Sequence, residues 1–265
     1  MRESNELYFL GVDIGSAFSK AAVLAGGELI SYHIIPSGGN YKLTADEVVT
    51  GALAKADLSL ADIACTVATG YGGSNVSFAH RLITDISCQS RGVFHLFPSV
   101  RTVVDIGGQF SRVIKLDDRG RAKAFLMSEK CAGGSGRFLQ IIAHVLQIDL
   151  KEIGPLSLKS KKKISFNTGC AVFSETEAIS RIAEGAATED ILAGVHRALA
   201  AKIQNLVERL GIEQDVALTG GGAKDIGLVR SIEDTLKVNT LVPEEPQIVA
   251  ALGAALIAED TKNRP

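Results

Sequence analysis

Apolar and polar positions alternate along the chain in two similar series. Near the N-terminus, three short apolar or alternating runs predict an antiparallel meander, followed by a helix with a 3.6-residue apolar repeat and a buried strand. The elements expected in this first series are strands at Leu7–Ile14, Ser19–Ala25, Glu28–Ile34 and Cys65–Thr69, and a helix at 44–56. Gly26-Gly27 supplies a hairpin turn, and Thr44 is the expected N-cap of the helix.

The same order of elements restarts near residue 101, with Asp117-Asp118-Arg119-Gly120 as a turn. The elements expected in this second series are strands at Thr102–Ile106, Ser111–Leu116, Lys123–Met127, Ile164–Phe166 and Val216–Leu218, and helices at 135–147, 171–184, 189–210, 226–236 and 247–258. Two series that each begin with a meander and then add helices predict duplicated α/β lobes around a cleft. We expect lobe I at 1–98 plus the C-terminal helix (247–260), lobe II at 99–246, and a hinge near 97–100.

Composition narrows the class of partner. The chain has 265 residues, 46% of them hydrophobic, and its 28 Lys and Arg nearly balance 30 Asp and Glu. A net charge of -2 provides no global basic field for nucleic acid or a membrane surface. Neither a secretory signal nor an apolar run of the roughly 20 residues that span a bilayer is present. We therefore expect a soluble, cytoplasmic protein without nucleic-acid or membrane partners.

Three glycine-containing segments are candidate nucleotide contacts. The first, Gly11–Lys20, places Asp13 and hydroxyl groups on a tight hairpin that suits phosphate and Mg²⁺. The second, Asp105-Ile106-Gly107-Gly108-Gln109, repeats this pattern in the second series. The third, Leu218–Lys224, carries three consecutive glycines, so its bare backbone can lie against a nucleoside. None of the three matches a Rossmann fingerprint or a P-loop, which argues against a dinucleotide-dependent dehydrogenase and a P-loop ATPase.

The four cysteines divide into two pairs. Cys65 lies in an apolar strand and Cys88 in a helical pattern, where burial is the usual role of a free thiol. Cys131 and Cys170 each stand where a loop gives way to a predicted helix, and a helix N-terminus favours the thiolate that binds metal. Iron–sulfur clusters and structural zinc sites usually take four ligands, so two thiolates predict a site completed by a second copy of the chain.

Taken in order, the three glycine segments resemble the phosphate-1, phosphate-2 and adenosine motifs of the actin, heat-shock chaperone and sugar-kinase superfamily. Its fold, two duplicated actin-like (ribonuclease H-like) ATPase lobes around a nucleotide cleft, agrees with the repeated pattern. Cys131-Ala132-Gly133-Gly134-Ser135-Gly136 and Cys170-Ala171-Val172-Phe173-Ser174-Glu175 are similar to one branch of it, the ATP-dependent activators of 2-hydroxyacyl-CoA dehydratases. Benzoyl-CoA reductase ATPase subunits share these motifs, and Ala68-Thr69-Gly70-Tyr71-Gly72 extends the resemblance.

The resemblance implies an ATPase coupled to electron transfer in anaerobic metabolism. A homodimer would share one [4Fe–4S] cluster through Cys131 and Cys170, take electrons from a ferredoxin or flavodoxin, and pass them to an acceptor. The acceptor would be a 2-hydroxyacyl-CoA dehydratase, a benzoyl-CoA reductase or a double-cubane-cluster reductase. Asp13, Asp105 and Gln109 are the expected catalytic residues. The expected contacts to ATP or ADP with Mg²⁺ are Gly15, Ser16, Ala17, Ser19, Lys20, Gly107, Gly108, Gly220, Gly221, Gly222, Lys224 and Gln247.

Three positions depart from the family pattern: Ala17 replaces a common Thr, Gly73 a frequent Arg, and Phe110 a common Asp. Two alternatives stay open. A small-molecule kinase of the same fold would leave both loop cysteines unexplained, and a non-catalytic dimer stapled by Zn²⁺ would use ATP as a structural ligand.

Other conspicuous residues have simpler interpretations. The run Lys159–Lys163 is expected to be a solvated loop rather than a docking site for an acidic or CoA-bearing partner. Glu175 and Glu177 are expected to complement the dipole of the helix after Cys170, with a contact to the nucleotide as the alternative for Glu175. The histidines show no metal-ligand spacing and are expected at the surface or an interface: His33, His80, His95, His144 and His196.

Overall fold

The structure is a computed structural model that describes residues 6–128, 134–166 and 171–262. Its internal contacts divide the chain into two compact units. Unit 1 comprises Met1–Ser99, Leu116–Ala122 and Gln247–Pro265, and unit 2 comprises Val100–Lys115 and Lys123–Pro246. Each unit is built on one five-stranded sheet with helices packed against it.

Unit 1 contains the first series of elements and the end of the chain. Its strands are β1 (Tyr8–Ile14), β2 (Phe18–Ala25), β3 (Glu28–Pro36), β4 (Ile63–Thr69) and β5 (Arg81–Leu82), and its helices are α1 (Tyr41–Lys55), α2 (Asp85–Leu96) and α8 (Val249–Lys262). The strand order is β3-β2-β1-β4-β5. β2 runs antiparallel to β1 and β4 runs parallel to it.

Unit 2 contains the second series. Its strands are β6 (Thr102–Ile106), β7 (Ser111–Leu116), β8 (Ala122–Met127), β9 (Val216–Thr219) and β10 (Thr240–Leu241), and its helices are α3 (Gly136–Leu146), α4 (Ile153–Ser157), α5 (Ala171–Ala183), α6 (Thr188–Leu210) and α7 (Ile226–Leu236). The strand order is β10-β9-β6-β7-β8, with β7 antiparallel and β9 parallel to β6. Position by position this is the topology of the first sheet, as the restart of the sequence pattern predicted.

The core of unit 1 has two layers of helix around its sheet. α1 buries Val48 and Ala52 against β1 and β2, on one face. On the other face, α8 packs on β1 and α2 with Leu252 in the core. This approach is close because α8 carries Gly253, where a Cβ would overlap the backbone carbonyl of Cys88. The Ala- and Gly-rich sequence of α8 therefore follows from its position between a strand and a helix.

The core of unit 2 is one continuous cluster beneath β6 and β9. α3, α6 and α7 supply buried residues such as Phe138, Leu199 and Leu228, which pack against Ile106 and Leu218 of the sheet. The 23-residue helix α6 spans this cluster and contacts α4 and α7. The helix that begins at the end of the Cys131 motif, α3, is thus anchored in the core through its apolar face.

The expected start and N-cap of α1 are wrong. α1 begins at Tyr41 rather than 44, because the side chain of Asn40 accepts a hydrogen bond from the Leu43 N–H at 3.2 Å and is the N-cap. The Thr44 hydroxyl instead donates to the Ser37 carbonyl at 2.6 Å.

The strand expected at Ile164–Phe166 does not form. Its residues lie along α6, where the Arg197 guanidinium donates to the Ile164 carbonyl at 2.9 Å. Along the described ranges, no helix combines the length and hydropathy needed to cross a bilayer.

Candidate functional site

The first candidate phosphate site is the hairpin between β1 and β2. Asp13 and Lys20 are paired across it in register, and the Lys20 ammonium lies 2.6 Å from the Asp13 carboxylate. The two side chains are 9% and 12% exposed, so this ion pair is nearly buried. The turn, Gly15 to Ala17, is half-buried, and a Cβ at Gly15 would overlap the Phe18 carbonyl at 2.5 Å. The turn therefore depends on a glycine, and Lys20 stands beside it.

Serine hydroxyls brace this phosphate-1 turn from behind. Ser37 donates its hydroxyl to the Gly15 carbonyl at 2.6 Å and its N–H to the Ala17 carbonyl at 3.0 Å. The Ser19 hydroxyl is fully buried and lies 2.9 Å from that of Ser37. The Ser19 side chain thus acts on the turn through Ser37, whereas Ser16 lies in the turn and is half-buried.

The Ala68–Gly72 segment closes the phosphate-1 hairpin on its other side. Thr69 is in register with Asp13 on the parallel strand β4. Gly70 follows at φ +87°, and a Cβ there would overlap the Asp13 carboxylate. Only glycine satisfies both conditions without strain. Gly73, one of the departures from the family pattern, is buried in the next short turn.

The second candidate phosphate site, between β6 and β7, has the same construction. Asp105 and Arg112 are in register, with guanidinium nitrogens 3.0 Å and 2.7 Å from one carboxylate oxygen. The Thr219 hydroxyl donates to the other oxygen at 3.3 Å. Phe110, which replaces the family's Asp, places its ring 5.2 Å from the Arg112 guanidinium carbon. The Phe110 ring therefore covers the Arg112 guanidinium, in a geometry that favours a cation–π contact.

Gln109 in the phosphate-2 turn is half-buried, and its side-chain oxygen has no hydrogen-bond partner among the described residues. Buried amide oxygens are normally bonded, so an unmatched one is typical of a group that meets a ligand or water. This suits the expected role of Gln109 toward a phosphate-bound water.

The third glycine segment follows β9. Gly220 adopts φ +80° and donates its N–H to the Pro246 carbonyl at 2.9 Å. A short 3-10 turn, Gly221–Lys224, comes next, and the Lys224 ammonium lies 2.6 Å from Glu245. The bare backbone of this segment is the feature expected of an adenosine contact. Gln247 is half-buried.

The phosphate-2 turn is also hydrogen-bonded to the start of α3. The Gly136 N–H donates to the Gly107 carbonyl at 2.9 Å, and the Ser135 hydroxyl donates to the Gly108 carbonyl at 3.1 Å. The last two residues of the Cys131 motif are therefore bonded directly to a candidate phosphate turn.

Cys131 and Cys170 lie outside the described residues, as does part of each motif. α5 begins at Ala171, immediately after Cys170, whereas α3 begins at Gly136. Within the described part of the chain, no three His, Cys, Asp or Glu side chains are grouped as metal ligands.

The other two cysteines are buried, as expected. Cys65 is 6% exposed and Cys88 is inaccessible. Burial raises the pKa of the Cys65 thiol, and it raises the pKa of Cys88 to about 12. Neither thiol is placed to bind a metal as a thiolate at neutral pH.

One histidine contradicts the sequence interpretation. His196 is 1% exposed rather than at the surface, and its Nε2 lies 3.0 Å from the Asp225 carboxylate. Asp225 also accepts the N–H groups of Gly227 and Leu228 and so caps α7, directly after the third glycine segment. The apolar periodicity of α6 could have predicted that His196 is buried, but it does not reveal Asp225, which lies at the start of another helix.

The lysine side chains of Lys159–Lys163 are exposed, as expected, and hydrogen bonds hold the backbone of this segment in place. The buried Asp190 carboxylate accepts the Ser160 hydroxyl at 2.8 Å and the N–H groups of Lys161 and Lys162 at 2.7 and 2.8 Å. These hydrogen bonds, that of Lys162 first, lower the pKa of Asp190. On α5, Glu175 is exposed, and Glu177 forms an ion pair with Arg181 at 3.5 Å.

Comparison with known proteins identifies the family. The profile of the BadF/BadG/BcrA/BcrD ATPase family matches residues 10–258. The chain belongs to this ATPase family. It is 41% identical, over 96% of each chain, to the 2-hydroxyisocaproyl-CoA dehydratase activator of Clostridioides difficile. It is 40% identical to the activator of lactoyl-CoA dehydratase of Anaerotignum propionicum, over 97% of this chain and 100% of the relative.

A solved structure agrees with the family assignment. The activator of the 2-hydroxyisocaproyl-CoA dehydratase from Clostridium difficile with bound ADPNP superposes with a TM-score of 0.93 at 39% identity, covering 98% of both chains. The predicted fold class, that of actin-like ATPases, is confirmed.

Proposed function

We propose that the chain is an ATP-hydrolysing iron–sulfur protein that passes electrons one at a time to a partner dehydratase or reductase. The observation that carries the proposal is the pair of hydrogen bonds from Ser135 and Gly136, at the end of the Cys131 motif, to the phosphate-2 turn. An ATP-driven electron carrier needs a physical connection between the turn that binds the nucleotide and the segment that carries a cluster cysteine.

ATP is the proposed nucleotide, held by the glycine turns of both hairpins and by the Gly220–Lys224 segment. Backbone N–H groups in such turns bind phosphate oxygens, and Lys20 supplies positive charge. Asp13 and Asp105, the carboxylates at the ends of β1 and β6, are the proposed Mg²⁺ contacts, through water. Gln109 orients the attacking water with its free side-chain oxygen. The ADPNP-bound relative supports this assignment.

The thiols present fit a shared four-ligand cluster. Cys65 and Cys88 are buried and keep their protons, which leaves two thiols per chain, Cys131 and Cys170. Two copies then supply the four thiolates of a [4Fe–4S] cluster. When bound, the cluster supplies one-electron chemistry. α5 begins directly after Cys170, so its positive N-terminal dipole favours that thiolate.

Exposed apolar side chains on α5 support the homodimer. Ile179 is 53% exposed and Ile182 45%, and three residues of spacing place them next to each other on the helix that follows Cys170. Phe173, 72% exposed, projects from another side of the same helix. Exposed large apolar side chains are typical of an interface, and we propose that a second copy packs along α5, which brings its cysteines to the same site.

The proposed partner follows from the named relatives. Relatives are named as activators of dehydratases acting on 2-hydroxyisocaproyl-CoA and lactoyl-CoA, and another as a benzoyl-CoA reductase subunit. By analogy, the acceptor here is a cluster-containing dehydratase or reductase, and the donor is a ferredoxin or flavodoxin. Lowering a potential by about 59 mV costs about 1.4 kcal/mol per electron, so a shift of several such steps requires ATP hydrolysis rather than binding alone.

Anaerobic purification tests the proposal. We expect a brown dimer with about four iron atoms, ATP hydrolysis, and complete loss of iron in Cys131→Ser and Cys170→Ser. Cys65→Ser is the matched control and should keep its iron. A colourless zinc dimer would instead support the stapled-dimer alternative, and a metal-free phosphotransferase would support the kinase.

A further inference from the structure

Both ends of the segment that carries Cys131 are hydrogen-bonded to a single residue of the phosphate-2 hairpin, Ser111. The Ser111 hydroxyl donates to the Gly134 carbonyl at 2.7 Å, on the C-terminal side of the segment. On its N-terminal side, the Ser128 N–H donates to the Ser111 carbonyl at 2.8 Å and the Ser128 hydroxyl accepts the Ser111 N–H at 3.0 Å. Ser111 is 1% exposed and is the first residue of β7.

The turn itself is joined to the same segment through its carbonyl groups. The Gly107 carbonyl accepts from the Gly136 N–H, and the Gly108 carbonyl accepts from the Ser135 hydroxyl. A peptide unit is planar, so the Gly107 carbonyl and the Gly108 N–H turn together, as do the Gly108 carbonyl and the Gln109 N–H. A phosphate that pulls on these N–H groups must therefore move the carbonyls that Ser135 and Gly136 hold.

We propose that Ser135 and Ser111 are positioning residues that transmit the state of the bound nucleotide to Cys131. Rotation of the two peptide planes on phosphate binding or release shifts the start of α3 through Ser135, and distortion of the hairpin shifts both flanks of the cysteine segment through Ser111. This inference rests on the proposed function, in which the movement of the segment around Cys131 serves electron transfer.

The burial of the two serines makes these contacts a strong link. Ser135 is fully buried, and its hydroxyl reaches across 27 residues of sequence to the half-buried turn. The bond from Ser111 to Gly134 is buried, so water cannot replace it when it is lost. Phe138 and Ile142 hold the body of α3 in the core. A shift at Ser135 is therefore confined to the start of the helix and the segment before it.

The test measures how each thiol responds to nucleotide in the full-length chain. Iron is first removed with a chelator, and the alkylation rates of Cys131 and Cys170 are determined by mass spectrometry, with saturating Mg-ADP or with Mg-ADPNP. In the wild-type chain we expect the Cys131 rate to differ about fivefold or more between the two nucleotides, the usual size of allosteric coupling. In Ser135→Ala this ratio should fall to near one.

Two further variants separate coupling from folding. Ser111→Ala removes the hydroxyl bond to Gly134, at the same C-terminal end of the segment as Ser135, and leaves the backbone bonds to Ser128 in place; it should lower the same ratio. Ser157→Ala is the matched control, because it removes an equally buried hydroxyl bond, to the Gly154 carbonyl, elsewhere in unit 2. It should keep the wild-type ratio. Thermal unfolding and nucleotide titration establish that each variant is folded and saturated.

Two results would overturn the inference: a Cys131 rate that ignores the nucleotide in the wild-type chain, or a wild-type ratio in both Ser135→Ala and Ser111→Ala. Iron analysis of the purified wild-type dimer is scored separately. A dimer without iron would sink the proposed function while leaving the thiol ratio readable, so the two failures are distinguishable.

Discussion

The two phosphate hairpins place the same chemistry at matching positions and connect it to different parts of the chain. In unit 1 the carboxylate of Asp13 faces a lysine across the hairpin, and in unit 2 that of Asp105 faces an arginine. A threonine lies beside each carboxylate on the parallel strand, followed by a glycine at positive φ. These four positions are set by strand register, which both sheets share.

The turns differ in what braces them. In unit 1, Ser37 holds the turn, and Asn40 three residues later caps α1, whose apolar face is fixed in the core. In unit 2, Ser135 and Gly136 hold the turn, and they are the last two residues of the Cys131 motif. The same kind of hairpin is thus tied to the segment before α1 in one unit and to the Cys131 motif in the other. The paired carboxylate and cation are common to both units, and the residues that hold each turn are not.

The largest expected effect comes from the glycines beside the two carboxylates. Gly70→Ala and Gly220→Ala should each lower the free energy of unfolding by about 3 kcal/mol or more, since each combines positive φ with overlap of an aspartate. Gly27→Ala and Gly185→Ala are controls with positive φ and open space, and should cost about 1 kcal/mol. Urea denaturation measures all four. Clearly unequal costs at Gly70 and Gly220 would break the equivalence of the hairpins.

The ion pairs should rank next. Arg112→Met leaves the Asp105 carboxylate buried without its two nitrogen contacts and should cost about 3 kcal/mol of stability. Lys20→Met removes a single contact and should cost about 2 kcal/mol. Arg121→Met breaks a surface pair, 70% exposed on the arginine side, and should cost under about 1 kcal/mol. If the first two variants unfolded at the same urea concentration as Arg121→Met, these pairs would be dispensable for folding.

Variants of Gln109 and Ser16 test whether one turn acts in hydrolysis and the other in nucleotide binding. Gln109→Leu should lower kcat for ATP hydrolysis about a hundredfold, because a water-orienting group acts in the transition state. Ser16→Ala, in the other turn, should mainly weaken nucleotide affinity, by about fivefold for one lost hydrogen bond. Steady-state kinetics with separately measured nucleotide affinities distinguishes them, and a large kcat effect at Ser16 instead would reverse the assignment.

The buried thiols of unit 1 affect stability only at alkaline pH. Burial raises the pKa of Cys88 in the folded chain to about 12, from 9.0. The folded state therefore favours the protonated thiol, and its contribution to stability is complete below pH 9 and falls as pH rises toward 12. Cys88→Ala should flatten that part of the pH dependence of unfolding. In the alkylation experiment, Cys88 should be about a thousandfold less reactive than a free thiol at pH 8.5; rapid labelling would contradict its burial.

Where the sequence carried a local signal, it predicted the fold closely. β6 and β7 have the predicted bounds, because each is an apolar run ended by glycine or turn residues. Ile164–Phe166 also has a strand-like pattern, with apolar residues on either side of Ser165, but it packs along a helix rather than pairing with a strand. The local pattern does not specify which element lies beside it. His196 was misplaced for the same reason: its partner, Asp225, lies on another element.

By itself the sequence determined the order of most elements, the two carboxylate hairpins with their glycines, and the burial of Cys65 and Cys88, because each depends on neighbours within a few residues. Tertiary structure decided the rest. Which carbonyl Ser37 or Ser135 reaches is set by packing, since each bond joins residues about twenty or more positions apart. No periodicity in the chain encodes such a distance, and only the folded core brings a serine hydroxyl to a phosphate turn.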